Sequence, residues 1–203
     1  MSTTHSNQSL SRAESAAANR QRLITAARAA FARDGYAGAS MDEMTAAAGL
    51  TRGALYHGFG NKQGLLAAVI AELDAEMAGR LAEARSAAPD AWSGLLAEGV
   101  AYIRMALDPE IQRIMLLDGP AVLGDPSTWP GEQACLERTI STMARLRDDG
   151  VIKPLDLEAA ARLFNGAALS AALWVAAADD PGTVFPRAAE AFRALIDGLR
   201  APQ

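Results

Sequence analysis

Residues 40–66, SMDEMTAAAGLTRGALYHGFGNKQGLL, constrain the fold of this chain more than any other segment. Ser40 followed by Glu43 is the capping-box pattern that starts a helix, because the serine hydroxyl accepts a hydrogen bond from the third backbone N–H. Gly49 ends that helix, and Thr51 is suited to cap a second one. Two short helices joined by a tight turn with glycine form a helix-turn-helix, whose second helix enters the DNA major groove. The order of these signals therefore predicts a DNA-binding motif.

The predicted second helix carries side chains suited to DNA. Arg52 is the best candidate to read a guanine edge, because its guanidinium bonds two acceptors at once. Gly53 permits close approach, and the methyl group of Ala54 suits a thymine methyl. Helix starts favour phosphate through their free N–H groups. The predicted DNA-binding residues are Ser40, Thr51, Arg52, Gly53, Ala54, Tyr56, His57 and Lys62.

A wider set of positions around this helix follows a known pattern, and these positions are Thr51–His57, Phe59, Lys62, Leu65 and Leu66. They resemble the signature of the tetracycline-repressor (TetR) family of transcriptional regulators. The resemblance covers residues 18–66 and departs at Gly58, where members often carry a larger residue. It implies a homodimer that binds an inverted-repeat operator in double-stranded DNA. A ligand-free dimer that represses, and a small effector that releases it, are the expected mechanism.

Two other functions stay open at this point. A transcriptional activator of the same fold fits the same residues. A protein-interaction module that no longer binds DNA also fits the helix-turn-helix scaffold, although Arg52 and the basic N-terminal residues argue against it.

The net charge of −5 hides an asymmetry, since residues 1–65 sum to +3 and residues 66–203 to −8. Positive charge therefore accompanies the motif, as phosphate binding requires.

The composition predicts an all-α fold of about nine helices, since alanine is abundant and strand-like alternation is scarce. We predict a disordered lead over 1–16, a three-helix DNA-binding domain over 17–61, and a ligand-binding and dimerisation domain over 62–203. Residues 118–130, with three prolines and two glycines, predict a long loop. The predicted helices span about 17–34, 41–48, 52–58, 62–84, 92–107, 109–117, 132–148, 156–178 and 181–200. Asp90, Asp108, Asp156 and Asp180 mark the predicted starts of four of them.

The last two predicted helices differ in character. The helix over 181–200 is amphipathic, whereas the helix over 156–178 is apolar nearly all round, which indicates burial on more than one side. A partner subunit would supply that cover, and the family resemblance implies dimerisation through these two helices. The predicted interface residues are Gly166, Ala167, Ala171, Phe192 and Leu195.

Aromatic and methionine side chains after residue 85 predict a pocket for an apolar effector with a hydrogen-bonding group. Ordinary core packing is the alternative for any one of them. Tyr102, Trp174 and Asn165 are more suggestive because each brings a polar group into an apolar helix. The predicted ligand-binding residues are Tyr102, Met105, Trp129, Phe164, Asn165 and Trp174.

The sequence argues against an enzyme. It has two histidines, no cluster with metal-ligand spacing and no phosphate-binding glycine loop, so we expect no cofactor and no metal. Cys135 is the only cysteine, which fits a reducing cytoplasm. The longest uncharged run, 163–178, has 16 residues and falls short of the ~18–20 that a membrane span needs. We therefore expect a cytoplasmic protein that is not inserted in a membrane.

Overall fold

The structure is a computed structural model that describes residues 12–202. Within that range the fold is all-α, as predicted, and the only extended pairing is an isolated antiparallel bridge between Ile152 and Arg200. A π-helical segment, Gln112–Asp118, and a short 3-10 turn, Pro126–Thr128, join helices in the second half. The α-helices are α1 (Arg12–Gly38), α2 (Met41–Ala47), α3 (Arg52–Phe59), α4 (Lys62–Ser86), α5 (Ala91–Met105), α6 (Pro109–Ile111), α7 (Gly119–Leu123), α8 (Pro130–Asp148), α9 (Leu157–Ala176) and α10 (Pro181–Asp197).

Aspartate caps start four of these helices. The carboxylates accept hydrogen bonds from backbone N–H groups in the first turn, over distances of 2.8–3.3 Å. Each bond satisfies a donor that has no partner within its helix, and such a cap contributes ~1 kcal/mol. The predicted starts are therefore confirmed at Asp90, Asp108, Asp156 and Asp180.

Two predicted boundaries were wrong. The first helix begins at Arg12, so residues 12–16 of the expected disordered lead are helical, and residues 1–11 lie outside the described residues. Its regular helix is interrupted at Gly35, which takes φ 70° and ψ 172°. The expected loop over 118–130 is instead mostly helical, because α7 and the 3-10 turn occupy it. Proline is tolerated in the first turn of a helix, so Pro120, Pro126 and Pro130 start turns there rather than preventing them.

The chain divides into two compact units between Val69 and Ile70. We call residues up to 69 the first unit and residues from 70 the second unit. Apolar side chains that are almost fully buried form the core of each, and each such side chain contributes ~1.5–3 kcal/mol. The division falls inside α4, whereas the predicted domain bounds, 17–61 and 62–203, remain a prediction. The largest of these buried side chains include Leu23, Phe31, Met44 and Leu55 in the first unit and Leu95, Ile103, Met143 and Leu146 in the second.

Helix α9 is the central helix of the second unit, where it packs against α5, α8 and α10. In the described part of the chain it is the one helix whose length and hydropathy would allow it to cross a membrane. The helix has 20 residues, more than the uncharged run in the sequence suggested. A helix that packs in a protein core passes the same test, and α9 buries one face, with Phe164, Ala168 and Val175, in the core of the second unit.

Candidate DNA-binding surface and effector cavity

The helix-turn-helix is formed by α2 and α3, and local hydrogen bonds fix its geometry. The Ser40 hydroxyl accepts from the Glu43 N–H at 3.5 Å, and the Thr51 hydroxyl accepts from the Ala54 N–H at 3.3 Å. Between the two helices Gly49 takes φ 61°, a left-handed conformation that glycine adopts without steric cost. Both predicted caps and the turn glycine are confirmed.

Helix α3 separates a buried face from an exposed one. Leu55 is fully buried and anchors the helix in the core of the first unit. Tyr56 is 51% exposed although it is a large aromatic residue, so packing does not account for its orientation. We call the exposed residues of α3 and its cap the recognition face. Of the predicted DNA-binding residues, Thr51, Arg52, Gly53, Tyr56 and His57 are exposed on this face, whereas Ser40, Ala54 and Lys62 are half-buried.

Arg52 on the recognition face is already held by a carboxylate. Its Nε and Nη2 atoms donate to the two oxygens of Asp42 in α2, which makes a two-point ion pair. The hydrogen bonds and the charge of Asp42 raise the pKa of the Arg52 guanidinium. Sequence reasoning did not single out Asp42. Its place in the first turn of α2, ten residues before the arginine, was the available signal.

Other cations of the first unit lie against aromatic rings or the turn. The ammonium of Lys62 lies 4.7 Å from the centre of the Tyr36 ring, and the Arg20 guanidinium lies 5.0 Å from that of Phe59. The Arg22 guanidinium lies beside Gly49, where a β-carbon would come within 2.6 Å of its Nη2 atom. Such contacts restrict where these side chains place their positive charge.

The second unit contains a cavity between α4, α5, α8 and α9, with about 350 Å³ of space that no atom fills, part of which is open to solvent. Three predicted ligand-binding residues, Tyr102, Phe164 and Asn165, come together here. The wall consists of Leu81, Gly99, Tyr102, Phe164 and Ala168 on the apolar side and Glu98, Glu132, Cys135, Thr139 and Asn165 on the polar side.

Polar groups of the cavity take part in hydrogen bonds around Asn165 and in an ion pair of Glu98. Thr139 donates to the side-chain oxygen of Asn165 at 3.2 Å, and the Asn165 amide lies 3.8 Å from the Cys135 sulfur. Burial, followed by the charge of Glu132, raises the pKa of the Cys135 thiol, so it is a weak nucleophile. Glu98 is paired with Arg85 at 2.9 Å.

Three predicted ligand-binding residues do not line this cavity. Met105 is packed into the core at the end of α5. Trp129 is buried close to Gly119, and its indole N–H has no hydrogen-bond partner within the described residues. Trp174 is 46% exposed and lies in a surface groove rather than in this cavity. The sequence placed these aromatics on helices correctly, but helical spacing does not reveal which face meets a cavity.

Trp174 instead lines a shallow groove between α9 and α10. Three of the predicted interface residues, Ala167, Ala171 and Leu195, line it too, and Leu195 is 64% exposed. Phe192 reaches the groove, but it is buried and its ring packs edge-on against Phe164 at 5.2 Å, so it belongs mainly to the core. Gly166 is exposed in a different groove, between α8 and α9.

These features define a class of protein. A capped helix-turn-helix with an exposed Arg/Tyr/His face, joined in one chain to a helical unit with a cavity, is the arrangement of a DNA-binding regulator. Among the described residues no group of three or more His, Cys, Asp or Glu side chains is placed to hold a metal ion.

The comparisons with known proteins identify the family. Residues 23–69 match the family described as bacterial regulatory proteins, tetR family, and residues 92–199 match the tetracyclin repressor-like C-terminal domain. The second match alone covers more than half of the chain. The chain therefore belongs to the TetR family of transcriptional regulators, a family of regulators rather than enzymes.

Similar proteins agree with that assignment. The HTH-type transcriptional repressor AcnR of Corynebacterium glutamicum is 31% identical over 136 residues, which cover 66% of this chain and 69% of that protein. AcnR of Corynebacterium efficiens is 29% identical over 133 residues, 65% of this chain and 68% of that protein. A TetR-family regulator from Pectobacterium atrosepticum, whose crystal structure is known, is 41% identical in sequence to this chain. The two structures align with a TM-score of 0.86 over 95% of this chain and 99% of that one.

Proposed function

We propose that this regulator is a cytoplasmic homodimeric repressor that binds an inverted-repeat operator and is released from it by a small effector. The recognition face carries this proposal. Its cap is formed by Thr51, its base is anchored by the buried Leu55, and its polar side chains are exposed without a packing role. Both curated relatives reported above are repressors, which favours repression over activation.

The predicted DNA-binding residues would contact different parts of the DNA. Arg52 suits a guanine edge, with its fork bonding O6 and N7. Tyr56 and His57, one turn later, suit phosphate or base contacts, and the start of α4 at Lys62 suits phosphate. Asp42 holds the Arg52 guanidinium in one orientation. How freely Arg52 reaches a base therefore depends on whether this ion pair breaks or persists on DNA.

Dimerisation would use the outer faces of α9 and α10. Leu163, Trp174 and Leu195 are 75%, 46% and 64% exposed in the single chain, which leaves apolar surface in contact with water. Ala167 and Ala171 between them have small side chains that permit close helix approach. A contiguous apolar patch of this kind is typical of an interaction surface.

The effector would bind in the cavity of the second unit. Tyr102 and Phe164 supply aromatic walls, and Asn165 and Thr139 supply polar groups. An effector shifts the dimer between a DNA-binding and a released state only as far as its affinity differs between them. A small apolar molecule with a hydrogen-bonding group matches the chemistry of these walls.

A binding experiment tests the central part of this proposal. Genomic fragments are selected with the purified protein, and the affinity for the selected fragment is measured by fluorescence anisotropy. Arg52→Ala should weaken binding to the selected fragment by ~1–3 kcal/mol. Arg147→Ala is the matched control, because Arg147 is also exposed and paired with an aspartate, Asp148, but belongs to the second unit. A wild type that selects no fragment would leave an interaction module without DNA binding as the function.

A further inference from the structure

The cavity of the second unit carries more negative charge than its own side chains neutralise. Glu132 in the cavity wall and Asp74 in α4 are both half-buried. Neither forms a hydrogen bond or an ion pair with any residue in the described part of the chain. Glu98 in the same wall is different, because Arg85 pairs with it at 2.9 Å.

The backbone brings the two carboxylates to the same place. Gly131 directly precedes Glu132 in the first turn of α8, and a β-carbon at position 131 would overlap the Asp74 carboxylate. Glycine at this position therefore leaves room for the Asp74 carboxylate against the start of α8. The half-buried carboxylates of Asp74 and Glu132 both lie at the first turn of α8. They repel each other unless a cation or a proton neutralises part of their charge.

The protonation behaviour of these groups points the same way. Burial raises the pKa of Glu132 to about 7, and the charge of Asp74 adds to the rise. Burial also raises the pKa of Asp74. Arg138 opposes both effects through its charge, but it is not within ion-pair distance of either carboxylate. The site thus lacks a positive partner.

The remaining walls fit an organic body. Tyr102 and Phe164 are aromatic, and Leu81 and Ala168 are aliphatic. The Tyr102 hydroxyl makes no hydrogen bond to another described residue, which leaves it free to meet a ligand. Aromatic faces attract organic cations by ~0.5–2 kcal/mol, so the same walls favour a cation on an apolar body and disfavour an anion.

We propose that the effector of this cavity is a small organic cation, a protonated amine on an aromatic or aliphatic body, whose ammonium group pairs with Glu132. This inference rests on the proposed effector function of the cavity and names its ligand class. The unpaired carboxylates of Glu132 and Asp74 make carboxylate ligands of the same size poor partners.

The test uses three probes of nearly equal size and different charge, namely benzylammonium, benzyl alcohol and benzoate. Their binding to the full-length, DNA-free protein is measured at pH 8 by calorimetry and by the shift in Tm. Benzylammonium should bind about tenfold more tightly than benzyl alcohol, because it adds a charge-assisted hydrogen bond. Benzoate should bind more weakly than either.

Two variants locate the effect. Glu132→Gln should lower the affinity for benzylammonium about tenfold and leave that for benzyl alcohol within about twofold, since only the charge is removed. Glu137→Gln makes the same chemical change on the exposed face of α8 and should alter neither affinity. Thermal unfolding shows that each variant is folded, and the order of the three probes on the wild type needs no variant.

The proposal is overturned if benzoate or benzyl alcohol binds the wild type as tightly as benzylammonium. It is also overturned if Glu137→Gln loses as much affinity as Glu132→Gln. Operator binding is measured separately and without a probe. A protein that binds its operator but shows no preference for the cation contradicts the ligand class alone, whereas a protein that binds no operator contradicts the proposed function.

Discussion

The two units of this chain differ in how far apart their candidate functional residues lie in the sequence. The recognition face is built from residues 51–57, and two local caps and one turn glycine orient it. The cavity is built from residues between Leu81 and Ala168, on four helices. The recognition face therefore follows from interactions between neighbouring residues, whereas the cavity depends on how the helices pack.

The units also differ in how they hold charge. The ion pair between Arg52 and Asp42 is exposed, and such pairs contribute ~0–1 kcal/mol to stability. Glu132 is half-buried and has no such partner, so its charge costs stability in the ligand-free protein. The Arg52–Asp42 pair of the first unit can therefore exchange partners, whereas Glu132 in the second unit lacks a positively charged partner.

The largest expected effect concerns assembly through the second unit. Ala171→Glu or Ala167→Glu should weaken the dimer by ~3–5 kcal/mol, because it buries an unpaired charge in the proposed helix contact. Light scattering and sedimentation measure the loss. Ala134→Glu, on the exposed face of α8, is the control and should leave the dimer intact. A dimer of undiminished stability in both groove variants would place the interface elsewhere.

The next effect concerns the packing of the first unit. Gly64→Ala should destabilise that unit by up to ~3 kcal/mol, because the new β-carbon would overlap the backbone carbonyl oxygen of Phe59, which has little freedom to move. Gly79→Ala, in the same helix, meets no atom within 4 Å and should stabilise α4 by ~1 kcal/mol. Hydrogen exchange reports each unit separately, and equal effects of the two variants would refute this packing argument.

A smaller effect concerns the reading of DNA. Arg52→Ala should cost ~1–3 kcal/mol and relax the preference at one base pair, as expected for a two-point contact. Lys62→Ala should weaken binding to all sequences alike and flatten the dependence on salt. Affinities across operator variants and salt concentrations separate the two. Unchanged base preference in the Arg52 variant would remove its reading role.

The smallest effect concerns pH. Burial raises the pKa of Glu132 from 4.5 to about 7 in the folded chain, so the folded state binds more protons than the unfolded state between these values. Its contribution to stability is therefore present below pH 4.5 and is lost as the pH rises to about 7.

For this half-buried group we expect a loss of ~1–2 kcal/mol in the free energy of unfolding over that range. Glu132→Gln should abolish this part of the pH dependence, and Glu137→Gln should retain it. Chemical denaturation at pH 5 and pH 8 measures the difference. Parallel pH profiles for wild type and Glu132→Gln would contradict the assigned burial.

The sequence was sufficient for most of the first unit because its signals are local. Ser40, Thr51 and Gly49 each act on neighbouring backbone groups, so their spacing predicted the two helices and the turn directly. The same holds for the aspartate caps in the second unit. Asp42 was missed because its partner, Arg52, is ten residues away on another helix.

The cavity was only partly predictable. Tyr102, Phe164 and Asn165 were identified because they carry aromatic or polar groups in apolar helices. Trp174 has the same signature but lies on the outer face of α9, and no spacing rule distinguishes the two faces of a helix that is apolar nearly all round. Glu132 was not singled out, since its half-buried position in the cavity wall depends on how four helices pack together.

The most direct test of the account is a footprint of the protein on its selected operator, combined with the mass of the complex. Two chains should bind one operator, and protection should fall on two major-groove segments related by two-fold symmetry, ~34–36 Å apart. At a protein concentration near the wild-type Kd, Arg52→Ala should weaken this protection and Arg147→Ala should preserve it. A single unsymmetrical footprint from one chain, or undiminished protection by the Arg52 variant at that concentration, would contradict the account.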